Sequence, residues 1–235
     1  MKIALIGTGK LGQLIEQEAY KQGIQIAARF SRRLGLAQDR PQELAEADVV
    51  VDVSNASAVL DNIQLCLSLG KPLVIGATGW EEQLPKARQL VADAGGSCLY
   101  APNFSIGFYL YQQILNYAAT LFQHFQAYDV CGIECHHKQK LDAPSGTAKS
   151  LSKSILLHMP RLESLNFSSV RCGHMPGTHT IQFDSEPDTL TFTHQARNRL
   201  GFAQGALMAA KWLSSKKGFF SMDDLMQDLM KEVIR

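Results

Sequence analysis

One short segment constrains this chain more than any other. Gly7-Thr8-Gly9-Lys10-Leu11-Gly12 fits G-x-G-x-x-G, directly after an apolar strand candidate, Lys2 to Ile6, and at the head of a helix candidate, Lys10 to Gln22. Gly7 permits a tight turn, Gly9 lets the backbone approach a pyrophosphate, and Gly12 lets helix and strand pack closely. The phosphate then lies on the helix N-terminus, where free N–H groups and the helix dipole favour negative charge. Thr8, Lys10 and Leu11 complete the expected contact, so the segment predicts a dinucleotide site.

The residues after the second strand candidate bear on which dinucleotide. An NADH-selective site usually carries Asp or Glu about 20 residues beyond the loop, on the ribose 2′-hydroxyl. Here the second strand candidate, Ile24 to Phe30, ends Arg29-Phe30-Ser31-Arg32-Arg33, with no carboxylate. A serine and several arginines suit a 2′-phosphate, which favours NADPH and leaves NADH possible. Ligands of open α/β sheets bind outside the carboxyl ends of the strands. Two further segments, Val53-Ser54-Asn55 and Gly76-Ala77-Thr78-Gly79, occupy such ends. Ser54 and Gly76 are small enough for the nicotinamide half to approach backbone, and Thr78 is placed to bond its carboxamide or ribose.

The pattern around the loop repeats. Val49 to Val53, Pro72 to Ile75 and Cys98 to Tyr100 are strand candidates, separated by helical stretches Ala56 to Leu69 and Glu81 to Ala94. Short apolar strands alternating with helices predict an α/β, Rossmann-type, doubly wound parallel sheet covered on both faces. Beyond Pro102 the alternation stops. A long helical stretch, Ile106 to Phe125, precedes the strand candidate Tyr128 to Cys135, and Ser168 to Cys172, His179 to Phe183 and Thr189 to His194 read as strands between Gly and Pro turns. That texture predicts a second, α+β domain with a mixed, largely antiparallel sheet. The helices Gly205 to Leu213 and Met222 to Val233 are free to return to the first domain. Periodicity alone does not show where they dock.

Charge narrows the partners. Lys and Arg total 23 against 22 acids, so a net charge of +1 offers no general attraction for nucleic acid or an anionic membrane. No apolar stretch reaches the roughly 20 residues of a membrane span, and the first residues lack the cationic start and cleavage site of a signal peptide. A cytoplasmic protein is expected. Five cysteines without CxxC spacing fit reduced, mostly buried thiols better than a disulfide framework or a zinc site.

Residues 132–150 read GIECHHKQKLDAPSGTAKS, with two histidines, three lysines and two acids beside a Pro-Ser-Gly-Thr turn. Ser145 is an N-cap candidate, which would turn the amides of Gly146 and Thr147 outward as a carboxylate site. Lys140 adds a point charge, and His136 or His137 is able to hold or release a proton near neutral pH. The set describes a cradle for a small dicarboxylate with an acid in it. Adjacent strand residues point to opposite faces, so Cys135 beside the histidines does not make a metal site, and no metal is expected. Glu134 and Asp142 read as scaffolding that orients the loop or tunes a histidine. His124, His158, His174 and His194 read as structural, and Ile106 to Phe125 as core and subunit contact.

The run Glu134-x-His136-His137-x-x-Lys140-x-Asp142-x-Pro144-Ser145-Gly146-Thr147-Ala148 resembles the signature of dihydrodipicolinate reductases. Similarity extends to the Gly7–Gly12 loop, Gly76-Ala77-Thr78-Gly79, Pro102-Asn103-Phe104-Ser105, Val170-Arg171-x-Gly173 and Gly177-x-His179-Thr180. The resemblance implies a cofactor domain built from both chain ends, 1–105 with 199–235, a central substrate domain, 106–198, that also forms a homotetramer, and reduction of 4-hydroxy-tetrahydrodipicolinate by NADPH or NADH in lysine and diaminopimelate synthesis. It implies His136 as general acid, Lys140 as the cation on a substrate carboxylate or developing charge, and His137 as a substrate contact. Ser145, Gly146 and Thr147 would hold a carboxylate, and Pro102, Asn103 and Phe104 join the cofactor contacts. Ser31 and Arg32 stand where many members have an acid and a base. Two rivals share the glycine loop: an aspartate or homoserine dehydrogenase, against which the histidine and Pro-Ser-Gly-Thr loop speaks, and a non-enzymatic NADPH-binding redox sensor.

Overall fold

Unbroken valine and isoleucine runs become the inner strands of a parallel sheet, because such strands are buried on both faces. In the computed structural model, which describes residues 1–233, these are β1 (Lys2–Ile6), β3 (Val49–Asp52), β4 (Leu73–Ile75) and β5 (Ser97–Tyr100). With β2 (Gln25–Phe30) and β10 (Gly218–Ser221) they form six strands in the order β10-β5-β4-β3-β1-β2, every neighbour parallel. The connections are α1 (Lys10–Lys21), the short α2 (Pro41–Ala45), α3 (Val59–Ser68) and α4 (Leu84–Asp93). Ile63, Cys66, Trp80, Ala87 and Val91 bury one face against Phe30, Val50 and Ile75.

The chain's last helices belong to this unit. α7 (Leu200–Leu213) packs against α1, β3, β4 and β5, and α8 (Met222–Val233) against β10. α7 comes close because it is lined with Ala203, Gly205, Ala206, Ala209 and Ala210. A Cβ on Gly205 would stand 1.8 Å from the Phe104 carbonyl oxygen. The sequence placed the start of this helix at Gly205 and did not anticipate β10 or α2. The division falls at Met1–Ser105 with Leu200 onward, and Ile106–Arg199, so Arg199 sits with the second unit rather than the first. Positions 234 and 235 of the expected cofactor segment lie outside the described residues.

The second unit carries β6 (Asp129–His136), β7 (Phe167–Arg171), β8 (Thr178–Asp184) and β9 (Thr189–Gln195) in the order β7-β6-β8-β9. β6 and β7 are parallel, and the other pairs antiparallel. Helices α5 (Ile106–Phe122) and α6 (Gly146–His158) supply Phe108, Tyr111, Leu115, Leu151 and Ile155 to a core with Ile181 and Phe183. Alternation does the rest: Val130, Gly132, Glu134 and His136 of β6 face inward, while Asp129 and Cys131 face out. Among the described residues only Cys66 and Cys98 are buried thiols. Cys131 and Cys172 are exposed, contrary to the expectation of mostly buried cysteines, because strand parity and a turn place them outside.

Register turns this sheet into a site. Glu134 lies opposite Ser169 on β7 and His179 on β8, and His179 lies opposite His194 on β9. His136, two residues on, shares that face and pairs with Arg171.

Candidate active site

The dinucleotide loop in the first unit owes its shape to three glycines with different duties. Gly7 takes φ +101°, and a Cβ there would stand 2.7 Å from the Val53 carbonyl carbon. A Cβ on Gly12 would stand 2.0 Å from the Gly7 carbonyl oxygen. Gly9 is the reverse case, with open space within 4 Å of its missing side chain. It is also the N-cap of α1 and supplies no capping side chain, which leaves the helix N-terminus available to a phosphate. Lys10 is exposed and Leu11 half-buried, while the Thr8 carbonyl accepts a hydrogen bond from Gln13 Nε2 at 3.3 Å.

A cavity of about 350 Å³ opens beside this loop, at the carboxyl ends of β1, β2 and β3. Gly7, Ser31, Arg32 and Ser54 line it, as does Asp61. The wall behind Ser54 is fixed by the buried Asp52, which accepts from the Ser54 amide at 2.9 Å and from Asn62 Nδ2 at 2.8 Å. Arg29 is not available to this cavity, since its guanidinium bonds Glu16 and the Tyr20 hydroxyl. Of the arginines that the sequence offered for a phosphate, Arg32 is the one on the cavity wall.

The ends of β4 and β5 hold the other expected cofactor residues, apart from this cavity. Pro102 and Thr78 are exposed, and Asn103 Oδ1 closes a turn onto the Ser105 amide at 2.9 Å. Phe104 is 2% exposed. A Cβ on Gly76 would stand 2.8 Å from the Phe104 ring, so the space at Gly76 is taken by an aromatic side chain rather than held open for a ligand.

In the second unit the inward face of β6 carries the histidine site. The Glu134 carboxylate is fully buried. Its Oε1 accepts from the Ser145 amide at 2.9 Å, Ser169 Oγ at 2.7 Å and Arg171 Nη2 at 2.8 Å. Burial opposes its ionisation, but bonds from Ser145, Arg171 and Ser169 outweigh burial and hold the carboxyl down to about 2. Oε2 faces His136 Nδ1 at 3.0 Å and His179 Nε2 at 3.8 Å. Burial lowers the His136 pKa from its ordinary value, Glu134 raises it, and Lys140, Arg171 and His137 lower it again. His179 is pushed down to about 4, chiefly by burial and then by His136.

The following turn holds the expected carboxylate cradle. Ser145 caps α6, its Oγ accepting from the Ala148 amide at 3.1 Å. Lys140 Nζ reaches Asp142 Oδ1 at 2.8 Å, and the Gly146 amide donates to Asp142 Oδ2 at 3.3 Å. Asp142 thus places a carboxylate between two of the groups proposed to hold a substrate's. Thr147 is half-buried beside them. His137 is also half-buried, with its Nδ1 lacking a hydrogen-bond partner among the described residues. A larger cavity, about 550 Å³, runs along α6 between Pro144, Lys153 and Phe167 and contains none of these histidines.

Sequence spacing could not supply Ser169, Arg171 and His179 as partners of Glu134; strand register does. The sequence also gave no metal-ligand cluster, whereas folding brings Glu134, His136 and His179 within 4.8 Å. The guanidinium of Arg171 already neutralises that carboxylate, and Lys140 adds further positive charge, which opposes a cation between these groups. The set carries a stability cost at low pH. A histidine held neutral when folded binds a proton first in the unfolded chain, so stability falls as pH drops from the unfolded value of about 6.5 towards 4. We expect the thermal midpoint to be lower at pH 5 than at pH 7.5 by several degrees, and to recover in His179→Gln.

Comparison with known proteins now bears on this geometry. Residues 1–104 match the family model described as "Dihydrodipicolinate reductase, N-terminus", and residues 107–226 match "Dihydrodipicolinate reductase, C-terminus". The chain is 34% identical to the 4-hydroxy-tetrahydrodipicolinate reductase of Christiangramia forsetii, over 98% of this chain and all of that protein. It is similar to a dipicolinate-bound dihydrodipicolinate reductase from Paenisporosarcina sp. TG-14, with TM-score 0.79 and 26% identity over 94% of this chain and 97% of that one. An aspartate dehydrogenase from Thermotoga maritima shares the fold, with TM-score 0.51 and 16% identity over 92% and 97%.

Proposed function

We propose, for a chain that belongs to the dihydrodipicolinate reductase family and so is an oxidoreductase of lysine biosynthesis, a division of labour among its residues. The first unit holds NADPH and the second holds the substrate. His136 is the general acid, Lys140 and the amides of Gly146 and Thr147 hold carboxylate, and Ser145 and His137 shape the same cradle. The observation that carries this reading is the Asp142 carboxylate, seated on Lys140 and Gly146 at 2.8 and 3.3 Å. These donors fit a carboxylate because one already occupies them.

The dinucleotide loop fits its cofactor on the open side of Gly9 and the uncapped start of α1. When bound, the reduced nicotinamide supplies a hydride. Replacing the 4-hydroxyl of 4-hydroxy-tetrahydrodipicolinate by hydrogen consumes that hydride and one proton and releases water. The proton must be delivered where electron density builds, and a buried histidine with a carboxylate behind it is suited to deliver it.

NADPH is the preferred donor on the strength of Arg32. This residue lines the cavity beside Ser31, and no carboxylate stands at the end of β2. A hydrogen bond to a charged group contributes about 1.5–3 kcal/mol, so Arg32→Ala should raise KM for NADPH roughly tenfold or more and leave NADH within about twofold. Steady-state oxidation of both nucleotides with freshly generated 4-hydroxy-tetrahydrodipicolinate tests this. Equal use by the unmodified protein would contradict the preference, and no oxidation of either would contradict the activity.

We read the protein further as a cytoplasmic homotetramer. Free thiols, two of them exposed, suit a reducing compartment. Among the described residues no helix is long and apolar enough to cross a membrane. The outward face of the second unit's sheet presents Cys131, Thr191 and Thr193, a surface open to a second copy. The aspartate and homoserine dehydrogenase reading gives way to the family match over both units, and the sensor reading gives way to an oxidoreductase family.

A further inference from the structure

The Glu134 carboxylate reaches two parts of the substrate site at once. Its Oε1 is saturated by three donors from two elements, the Ser145 amide at the head of α6 and the Ser169 and Arg171 side chains of β7. These fix the plane of the carboxylate. Oε2 is thereby left facing His136 Nδ1, two residues along β6 and 3.0 Å away, a close ionic contact; neither atom has an aligned hydrogen bond among the described residues, with the other or with any third group. The other ring nitrogen, Nε2, faces Gly177, where a Cβ would stand 3.0 Å from it. Only a glycine leaves that side of the ring clear.

We propose that Glu134 is the positioning residue of the reaction. It requires a proton on His136 Nδ1, turns Nε2 into the nitrogen that gives its proton to substrate, and through Ser145 holds the carboxylate-binding turn in register with that ring. This rests on His136 being the acid. The chemistry follows from a carboxylate having only acceptors. A ring nitrogen 3.0 Å from Oε2 is favoured with hydrogen on it, so a proton leaving His136 departs from Nε2, and the remaining neutral ring keeps Nδ1–H beside the Glu134 carboxylate. Other charges around the ring are Lys140 with its partner Asp142, Arg171 of β7, His137 on the same chain segment, and His179 of β8 with His194 behind it. Of the groups acting directly on His136, Glu134 alone stabilises the charged ring.

The test is Glu134→Gln. Its amide oxygen is able to take the place of Oε1, which leaves NH2 facing Nδ1 and disfavours the imidazolium. Three readouts apply: kcat against pH, KM for both substrates, and the titration of His136 followed by NMR with ring-labelled histidine. A general acid must be protonated, so activity falls as pH rises through its pKa. Loss of the carboxylate should move that falling limb, and the NMR midpoint, at least one pH unit lower. We expect kcat at pH 7.5 to drop 10- to 100-fold with KM for NADPH within twofold. A limb and an NMR midpoint that stay in place would overturn the proposal, whatever happens to kcat. If Glu134→Gln does not fold, Glu134→Asp keeps the charge and withdraws it by one methylene, and an unmoved His136 midpoint there is equally fatal. Failure of the acid reading is separate: it shows as wild-type turnover in His136→Ala, and the NMR midpoint still decides the role of Glu134.

Discussion

His136→Ala is expected to lower kcat by about 10²- to 10⁴-fold, the usual contribution of a positioned acid, while the dissociation constant for NADPH stays within about twofold. The two halves of that result have separate origins. The proposed proton donor is a ring on β6, whereas the proposed nucleotide contacts lie in the first unit, on Gly7 to Gly12, Ser31, Arg32 and Ser54. The substitution also leaves Glu134 Oε2 buried without its neighbour, at a cost of about 1–3 kcal/mol, so a thermal melt belongs beside the kinetics. His136→Gln retains an amide at that place and serves as the folded control. Retained turnover in a folded His136→Ala would remove this residue from the chemistry. A fall in NADPH affinity matching the fall in kcat would show that the effect is not confined to the proton.

The second large effect separates two glycines three residues apart. Gly12→Ala places a methyl group 2.0 Å from the Gly7 carbonyl oxygen, a backbone atom with nowhere to retreat. α1 must then lift from β1, and overpacking of this kind costs about 1–3 kcal/mol or more, so the melting midpoint should fall by at least several degrees. At Gly9 an added Cβ meets nothing within 4 Å, so Gly9→Val should melt close to the parent. Its side chain instead fills the approach to the α1 N-terminus, and NADPH affinity should drop about 100-fold, or roughly 2.7 kcal/mol. Calorimetry with and without nucleotide reads both. Gly9→Val with full NADPH affinity would place the pyrophosphate somewhere other than this loop.

Local pattern made much of this molecule legible. The β1–loop–α1 start and the parallel strands follow from hydrophobic runs with glycine between them, and the Ser145 cap follows from a residue type at a helix start. The pairing of Glu134 with Ser169, Arg171 and His179 was not legible, because it depends on the register of three strands up to 45 residues apart. Gly76 shows another limit. A missing side chain makes room, and the sequence does not say whether a ligand or Phe104 takes it. Arg29 was misread for a similar reason, since Glu16 and Tyr20 come within reach only once α1 lies along β2. β10 is four half-buried residues between two helices, too short for periodicity to separate from a turn.

With Lys140 and Gly146 as the proposed substrate donors, Asp142 is an internal competitor for them. An incoming carboxylate does not fall into an empty positive hollow; it trades places with one that is already there, bonded to Lys140 and Gly146. For a ligand with one carboxylate the exchange is close to even, because donors and acceptor charge are the same before and after. A dicarboxylate gains from its second group, which has no resident rival on these donors. In that arrangement selection between acids is made by subtraction: a single carboxylate gains little over the resident one, and nothing in the site has to repel it.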